Sequence, residues 1–347
     1  MANKVLVGMS GGVDSSVCAA LLQKQGYDVT GMTLHLWKEA ACGGQQDVED
    51  ARRVCEHLGI PHIVMDEQDN FYRDVVQDFI QCYEEGRTPN PCVRCNRSIK
   101  FGVMLDHALE MGFDYVATGH YALVEQDADG HYQLLCSPHD AKDQSYVLYS
   151  LTQHQLSHTL LPLGHYPKEE IRRMAQEFGL PVAHKSESQD ICFIPDGDYA
   201  AFIQRQTGKC YPKGFFLDTA GNRIGTHQGI IHYTVGQRKG LGAFGRPMFV
   251  QRLHPEDNTI TLAEKGQEYQ STLVCRDLNW IASPALTGPV PCEGKVRYKA
   301  RRAACTVTPL GDGRAEVIFE EPQRAVTPGQ SVVFYDGAKV LGGGIIE

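Results

Sequence analysis

Gly8-Met-Ser-Gly-Gly-Val-Asp-Ser15 follows the apolar run Lys4-Val-Leu-Val-Gly8 and leads into a helical pattern from Ser15 to Gln25. A strand, a glycine-rich turn and a helix in that order aim main-chain N–H groups and the positive end of a helix at one point, where phosphate oxygens are well received. Gly11 and Gly12 allow a ligand to approach the backbone closely. No Lys follows the second glycine, so the stretch is not a Walker A loop, and its spacing is not that of GxGxxG. Asp14 inside a phosphate turn suggests a carboxylate that works with Mg2+. Without a ligand, Asp14 and Ser15 would be helix-capping residues.

Working outward, the same alternation continues: Asp28–Leu34 then a helix over 47–58, His62–Asp66 then a helix over 71–84, a helix near 96–111, then the run Phe113-Asp-Tyr-Val-Ala-Thr-Gly-His120. Apolar strands without strict polar alternation, each followed by a helix, predict an α/β fold, a doubly wound parallel sheet covered on both faces. Ligands of such sheets sit at the carboxyl ends of the strands. Near residue 206 the pattern changes to glycine-rich, β-branched and aromatic segments, which predicts a small β-rich connector over 206–273. Closely spaced strand patterns with Gly, Pro and Asp turns then predict an antiparallel β-barrel over 274–347, after a first domain of 1–205.

The chain has 347 residues, 42% of them hydrophobic, and a formal charge of −9. That charge argues against nonspecific nucleic-acid binding by the whole surface. It is unevenly spread: residues 1–205 carry 16 Lys/Arg against 29 Asp/Glu, and residues 206–347 carry 17 against 13, so a surface facing a polyanion is expected in the C-terminal part. The first residues show no signal-like or presequence pattern and no 18-residue apolar run exists, which predicts a cytoplasmic protein without a membrane partner. Twelve cysteines scattered through a chain of this size are expected to be mostly reduced. Cys92 and Cys95 make the one CxxC, without a second pair to complete a structural zinc site.

Thr88-Pro-Asn-Pro-Cys-Val-Arg-Cys95 continues into Asn96-Arg-Ser-Ile-Lys-Phe101. The pattern puts Cys95 at the start of a helix near Arg94, Arg97 and Lys100, surroundings that lower a thiol pKa. Cys192, in Ser188-Gln-Asp-Ile-Cys-Phe-Ile194, has apolar neighbours and by itself would read as a buried, inert thiol. Arg297-Tyr-Lys-Ala-Arg-Arg302 is expected to be a strand with Arg297, Lys299 and Arg301 on one face.

The loop resembles the signature of the ATP pyrophosphatase superfamily, whose members cleave ATP between the α and β phosphates and adenylate a carbonyl oxygen. The motifs SGGVDSS, NPCxxCNxxIKF, ATGHYA, KDQSY, DICFI, TVGQRKGL and PGQSVVFY occur in that order over nearly the whole chain, and together they resemble the tRNA-specific 2-thiouridylases. The resemblance implies an adenine nucleotide alpha-hydrolase-like fold that thiolates C2 of the wobble uridine, U34, using ATP and Mg2+. It implies ATP contacts at Gly8, Met9, Ser10, Gly11, Gly12, Val13, Asp14 and Ser15, with adenosine at Leu34 and Gly119. It further implies Cys95 as nucleophile, Cys192 as the bearer of a persulfide supplied by a cysteine desulfurase or sulfur-relay protein, and a Cys95–Cys192 disulfide that must then be reduced. Asn90, Pro91 and Cys92 match the loop that meets the target base, and His120, Lys142, Asp143, Gln144, Arg297, Tyr298 and Gln330 match positions that contact the tRNA anticodon arm. Many relatives have Asp where this chain has Cys92; the change leaves Cys92, Cys95 and Cys192 as ligands for a [4Fe-4S] cluster, an alternative to the persulfide-only route. Two other readings remain at this level: an amidating synthetase using the same adenylation, and a non-catalytic RNA-binding or sulfur-carrier protein.

Overall fold

The computed structural model describes residues 2–37, 44–139, 142–186 and 191–347. The chain divides into two compact units: Met1–Val75 with Cys92–Gly197 and Gly337–Leu341, and Val76–Pro91 with Asp198–Asp336 and Gly342–Glu347.

The described strands of the first unit are β1 (Lys4–Gly8), β2 (Asp28–His35), β3 (His62–Asp66), β4 (Tyr115–Ala117), β5 (Ala122–Gln126), β6 (Tyr132–Cys136) and β7 (Thr159–Leu160). One sheet has the order β3-β2-β1-β4-β7, and its pairings are all parallel. Val5, Leu6 and Val7 are fully buried because β1 is covered on both faces. Helices α1 (Val13–Lys24) and α2 (Gln45–Leu58) bring Val17, Leu22, Ala51 and Val54 into a core with Val5 and Val7. On the opposite face, Met104 at the start of helix Met104–Glu110 reaches to 3.4 Å from where a side chain on Gly8 would begin. The chain runs from β1 to β2 on one side, while β4 lies on the other. Strand order therefore reverses between β1 and β4, the place where such sheets open a crevice.

In the second unit β8 (Gly214–Leu217), β9 (Arg223–His227), β10 (Met248–His254) and β11 (Thr259–Glu264) form a small sheet, order β10-β11-β8-β9. A barrel follows from β12 (Tyr269–Trp280), β13 (Val290–Lys295), β14 (Ala303–Gly311), β15 (Arg314–Arg324), β16 (Ser331–Asp336) and β17 (Lys339–Ile346). Its order is β12-β15-β14-β13-β16-β17, closed by antiparallel pairing of β17 with β12 through Cys275↔Ile346 and Trp280↔Gly342. Closure demands glycine at 342, where a Cβ would stand 2.2 Å from the Asn279 carbonyl oxygen. In the first unit β5 and β6 form a hairpin, and Lys339 and Val340 pair with β6.

Two local expectations are corrected. Residues 296–302 are not a strand: the ladder of β13 with β14 ends at Gly294↔Ala303, and the chain between turns, with Ala300 N–H donating to the Arg297 carbonyl at 3.0 Å. A turn has no alternating faces, so Arg297, Lys299 and Arg301 share none. Cys95 does not begin a helix either. The helix runs Pro91–Cys95, since proline suits a first helical position, and it is Cys92 that occupies the first turn.

Candidate active site

At the end of β1 the chain turns through Ser10, Gly11 and Gly12 into α1. Gly11 has φ +67°, and a Cβ there would stand 2.6 Å from the Asp47 carbonyl oxygen, so both conformation and space require glycine. Gly12 caps α1 without any side-chain cap; its carbonyl accepts from the Ser15 and Ser16 hydroxyls at 3.2 and 2.8 Å. Ser15 Oγ also accepts the Ser10 N–H at 3.2 Å. Across the crevice, past β4, a Cβ on Gly119 would meet the Asp14 carbonyl carbon at 2.8 Å and the Ser15 nitrogen at 2.9 Å. Two backbones thus close on the start of α1, leaving helix N–H groups and small side chains as the lining.

The cleft holds about 190 Å³ and opens to solvent. Gly8, Met9, Ser10, Asp14 and Ser15 line its polar end, and Met32, Leu34 and Leu36 of the second strand and the residues after it give an apolar wall. Lys100, Gly119, His120 and Gln144 line it as well. Val13 is buried in the core behind the loop. An apolar wall beside a polar, N–H-rich end matches the two halves of an adenine nucleotide. Among the described lining residues Asp14 is the carboxylate, and one carboxylate together with phosphates fits what Mg2+ accepts.

Asp14 has partners that sequence reading missed. Its Oδ1 accepts from Lys168 Nζ at 2.6 Å and from Tyr121 OH at 2.8 Å, and Lys168 is buried. Tyr121 belongs to the ATGHY motif, so a local signal existed; Lys168 lies 154 residues from Asp14 and had none. A second missed set ties Lys185 Nζ to Asp47 Oδ1 and Asp50 Oδ2, each at 2.8 Å. Burial works against the Asp50 carboxylate, but the hydrogen bonds from Lys185, Gln46 and Arg53 prevail and hold it below its ordinary range. Because Asp47 also packs on Gly11, this pair braces the phosphate turn.

His120 is buried, and its Nδ1 shares a 2.7 Å hydrogen bond with Thr118 Oγ1. Burial first and Lys100 second keep its ring pKa well below the ordinary histidine value, so it is neutral at physiological pH. Gln144 bridges back to Tyr121, its N–H on the Tyr121 carbonyl at 2.8 Å and its Oε1 on the Tyr121 N–H at 3.0 Å. Asp143 accepts from Ser137 N–H and from the Ser145 hydroxyl, and Lys142 N–H donates to His139 O. In this structure Asp143 organises its own turn.

Cys92 is exposed on the first turn of helix Pro91–Cys95, while Cys95 is buried one turn later, where the helix widens into the π-helical stretch Asn96–Val103. Gln155 Nε2 supports the widened stretch by donating to the carbonyls of Arg97 and Phe101. Cys192 is half-buried in a turn closed by Ile194 N–H on Ile191 O at 2.9 Å. Its neighbours Phe193 and Ile194 are buried, Phe193 edge-on to Phe71 at 5.6 Å, so the turn is anchored beside the thiol. Ser188, Gln189 and Asp190 of that motif lie outside the described residues. The described cysteines are not disulfide-bonded. Among the described residues no group of three His, Cys, Asp or Glu side chains could hold a single metal ion.

In the second unit, Gln330 Nε2 donates to the carbonyls of Thr88 and Pro89 at 3.0 and 2.9 Å, just ahead of Asn90 and the buried Pro91. Arg297 Nη2 donates to the Arg324 and Ala325 carbonyls at 3.0 and 2.6 Å. Tyr298 is exposed, with Lys295 Nζ 5.4 Å from its ring centre.

Three family descriptions match the chain in succession: "tRNA methyl transferase HUP domain" over residues 3–196, "tRNA methyl transferase PRC-barrel domain" over 200–264, and "Aminomethyltransferase beta-barrel domain" over 270–346. The tRNA-specific 2-thiouridylase MnmA of Acetivibrio thermocellus is 50% identical, covering 99% of both chains. Its namesake from Clostridioides difficile is 48% identical over 100% of this chain and 99% of that one. Among solved structures, a 4-thiouridine synthetase–RNA complex with bound ATP aligns with 59% of this chain and 50% of its own at 19% identity and a TM-score of 0.38. The U34-tRNA thiolase NcsA from Methanococcus maripaludis with its [4Fe-4S] cluster aligns with 59% and 68% at 21% identity and a TM-score of 0.37.

Proposed function

Because this chain belongs to the tRNA-specific 2-thiouridylase family, a family of sulfurtransferase enzymes, we propose that it replaces O2 of the wobble uridine, U34, in tRNA by sulfur, consuming ATP and releasing AMP and pyrophosphate. The observation that carries the ATP half is the crevice between β1 and β4, where Gly11 and Gly119 are held so close to neighbouring backbone that a Cβ has no room. Gly8 to Ser15 would receive the phosphates, Leu34 and Gly119 would flank the adenosine, and Asp14 would hold Mg2+; of these Gly8, Met9, Ser10, Asp14, Ser15, Leu34 and Gly119 line the cleft. Bound Mg2+ would neutralise charge developing on the departing pyrophosphate. Lys168 and Tyr121 fix the Asp14 carboxylate that would meet it.

Attack of O2 on the α phosphorus expels pyrophosphate and turns an inert oxygen into an AMP leaving group. The terminal sulfur of a persulfide on Cys192 then bonds to C2, and AMP departs with the C–O electron pair. Cys95 thiolate attacks the Cys192 sulfur; the S–S bond breaks toward the transferred sulfur, which becomes C2=S, and a Cys95–Cys192 disulfide remains for a thiol reductant to reopen. Asn90, Pro91 and Cys92 meet the base, and His120, Lys142, Asp143, Gln144, Arg297, Tyr298 and Gln330 serve tRNA binding, directly or through the backbone they hold. The domains in this reading are 1–205 for catalysis, 206–273 as connector and 274–347 as the tRNA-contacting barrel. The sulfur donor is a persulfide carrier such as a cysteine desulfurase or relay protein. A tRNA substrate assigns the reaction to the cytoplasm, and no described helix is long and apolar enough to cross a membrane.

Incubation of unmodified tRNA with ATP, Mg2+ and a persulfide source, followed by nucleoside mass analysis, should give 2-thiouridine at position 34 and one AMP per sulfur. Cys95→Ser and Cys192→Ser should each abolish it. A nitrogen-containing product, or full turnover without either thiol, would refute the assignment.

A further inference from the structure

We infer that Gln330 is a positioning residue: the barrel turn Thr327–Gln330 clamps the backbone of Thr88 and Pro89 and thereby sets the segment that enters the Asn90–Cys92 loop. This rests on the reading of that loop as the one that meets the target base. A primary amide has two N–H bonds, and in Gln330 both are occupied, one on the Thr88 carbonyl and one on the Pro89 carbonyl. The side chain therefore has no donor left for a nucleotide. Its turn adds a third bond, Thr88 N–H on the Pro328 carbonyl at 2.8 Å, and Thr88 Oγ1 donates to Thr234 Oγ1 at 3.1 Å. Contact is close enough to need glycine at 329, with φ +88°, where a Cβ would meet Thr88 O at 2.9 Å.

The grip carries forward because the chain beyond it is stiff. Thr88 and Asn90 each precede a proline, which confines them to extended backbone, and Pro89 and Pro91 have fixed φ. Helix Pro91–Cys95 starts directly after, so an anchor at 88–89 sets where Asn90 and Cys92 begin. A residue that contacted RNA would act on affinity. One that fixes this backbone acts on the reacting complex once tRNA is bound.

The test compares Gln330→Leu and Gly329→Ala with the unsubstituted enzyme, measuring tRNA Kd by filter binding and kcat for thiolation at saturating tRNA. The expected result for both is a kcat lowered tenfold or more with Kd changed less than threefold. A weakened Kd with kcat preserved would show that Gln330 reads RNA directly, and no change in either would show that the clamp is dispensable; both overturn the inference. Asn90→Ala and Cys92→Ala, assayed in parallel, separate the two layers. If they leave kcat intact the loop reading fails; if they lower it while the clamp variants do not, the clamp alone fails. Hydrogen exchange on the unsubstituted chain gives a readout independent of how the variants fold: the Thr88 amide should be strongly protected, and rapid exchange there would rule the clamp out.

Discussion

The cleft at the end of β1 and the turn at Arg297–Arg302 both gather cationic side chains next to sharply bent backbone, yet they use them differently. In the cleft, Lys168 is buried against the Asp14 carboxylate and Lys100 lines the cavity. In the turn, Arg297 is taken up by two carbonyls of its own unit, one of them from Ala325, which sits in the left-handed region at φ +50°. Lys299 and Arg301 beside it are exposed. The difference teaches that cations to which the fold supplies acceptors, Lys168 on Asp14 and Arg297 on two carbonyls, belong to the architecture, whereas Lys299 and Arg301 lie on the surface.

The largest effect expected from this contrast is at Gly119. In Gly119→Ala the new Cβ would meet the Asp14 and Ser15 backbone, and the strain should lower ATP affinity by about a hundredfold, equivalent to ~2.7 kcal/mol. Calorimetric titration with ATP reads it, and an affinity within threefold of the parent would mean that the close approach does not build the cradle.

At the turn, Arg297→Met should cost about 1–3 kcal/mol of stability in urea denaturation, as expected for lost hydrogen bonds from a charged donor. Arg301→Glu with Lys299→Glu should leave stability within about 0.5 kcal/mol and weaken tRNA binding roughly tenfold, with a shallower salt dependence. If Arg297→Met instead weakened tRNA binding at unchanged stability, the division between architectural and binding cations would be reversed.

The smallest effect is a pH dependence in the cleft. His120 is held neutral in the folded chain and has its ordinary pKa near 6.5 when unfolded, so the unfolded state binds the extra proton first. Stability should therefore be full above pH 6.5 and fall as pH drops below it, by at most about 1.4 kcal/mol per pH unit. His120→Asn should flatten that slope; an identical urea-midpoint profile for the variant would remove His120 as its source.

The glycine turn was legible in the sequence because its requirements are local: a strand, a glycine at 11 where a Cβ cannot fit, and a helix start all fall within Lys4–Ser15. The barrel was legible from strand spacing and turn residues for the same reason. Arg297–Arg302 misled because alternating charges are compatible with a strand but do not create one; β13 stops pairing at Lys295 and β14 begins at Ala303. For Cys95, charge pattern suggested a helix start, whereas Pro91 had already begun the helix.

By itself, then, the sequence determined the parallel sheet, the glycine turn at its first strand and the run of family motifs. Tertiary structure alone decided that Lys168 neutralises Asp14, that Lys185 braces Asp47 and Asp50, and that Gln330 spends its amide on Thr88 and Pro89. The physical reason is range. Backbone conformation and periodicity are set by neighbours within a few residues, whereas these partners are separated by between 135 and 242 positions and meet only when the chain is folded.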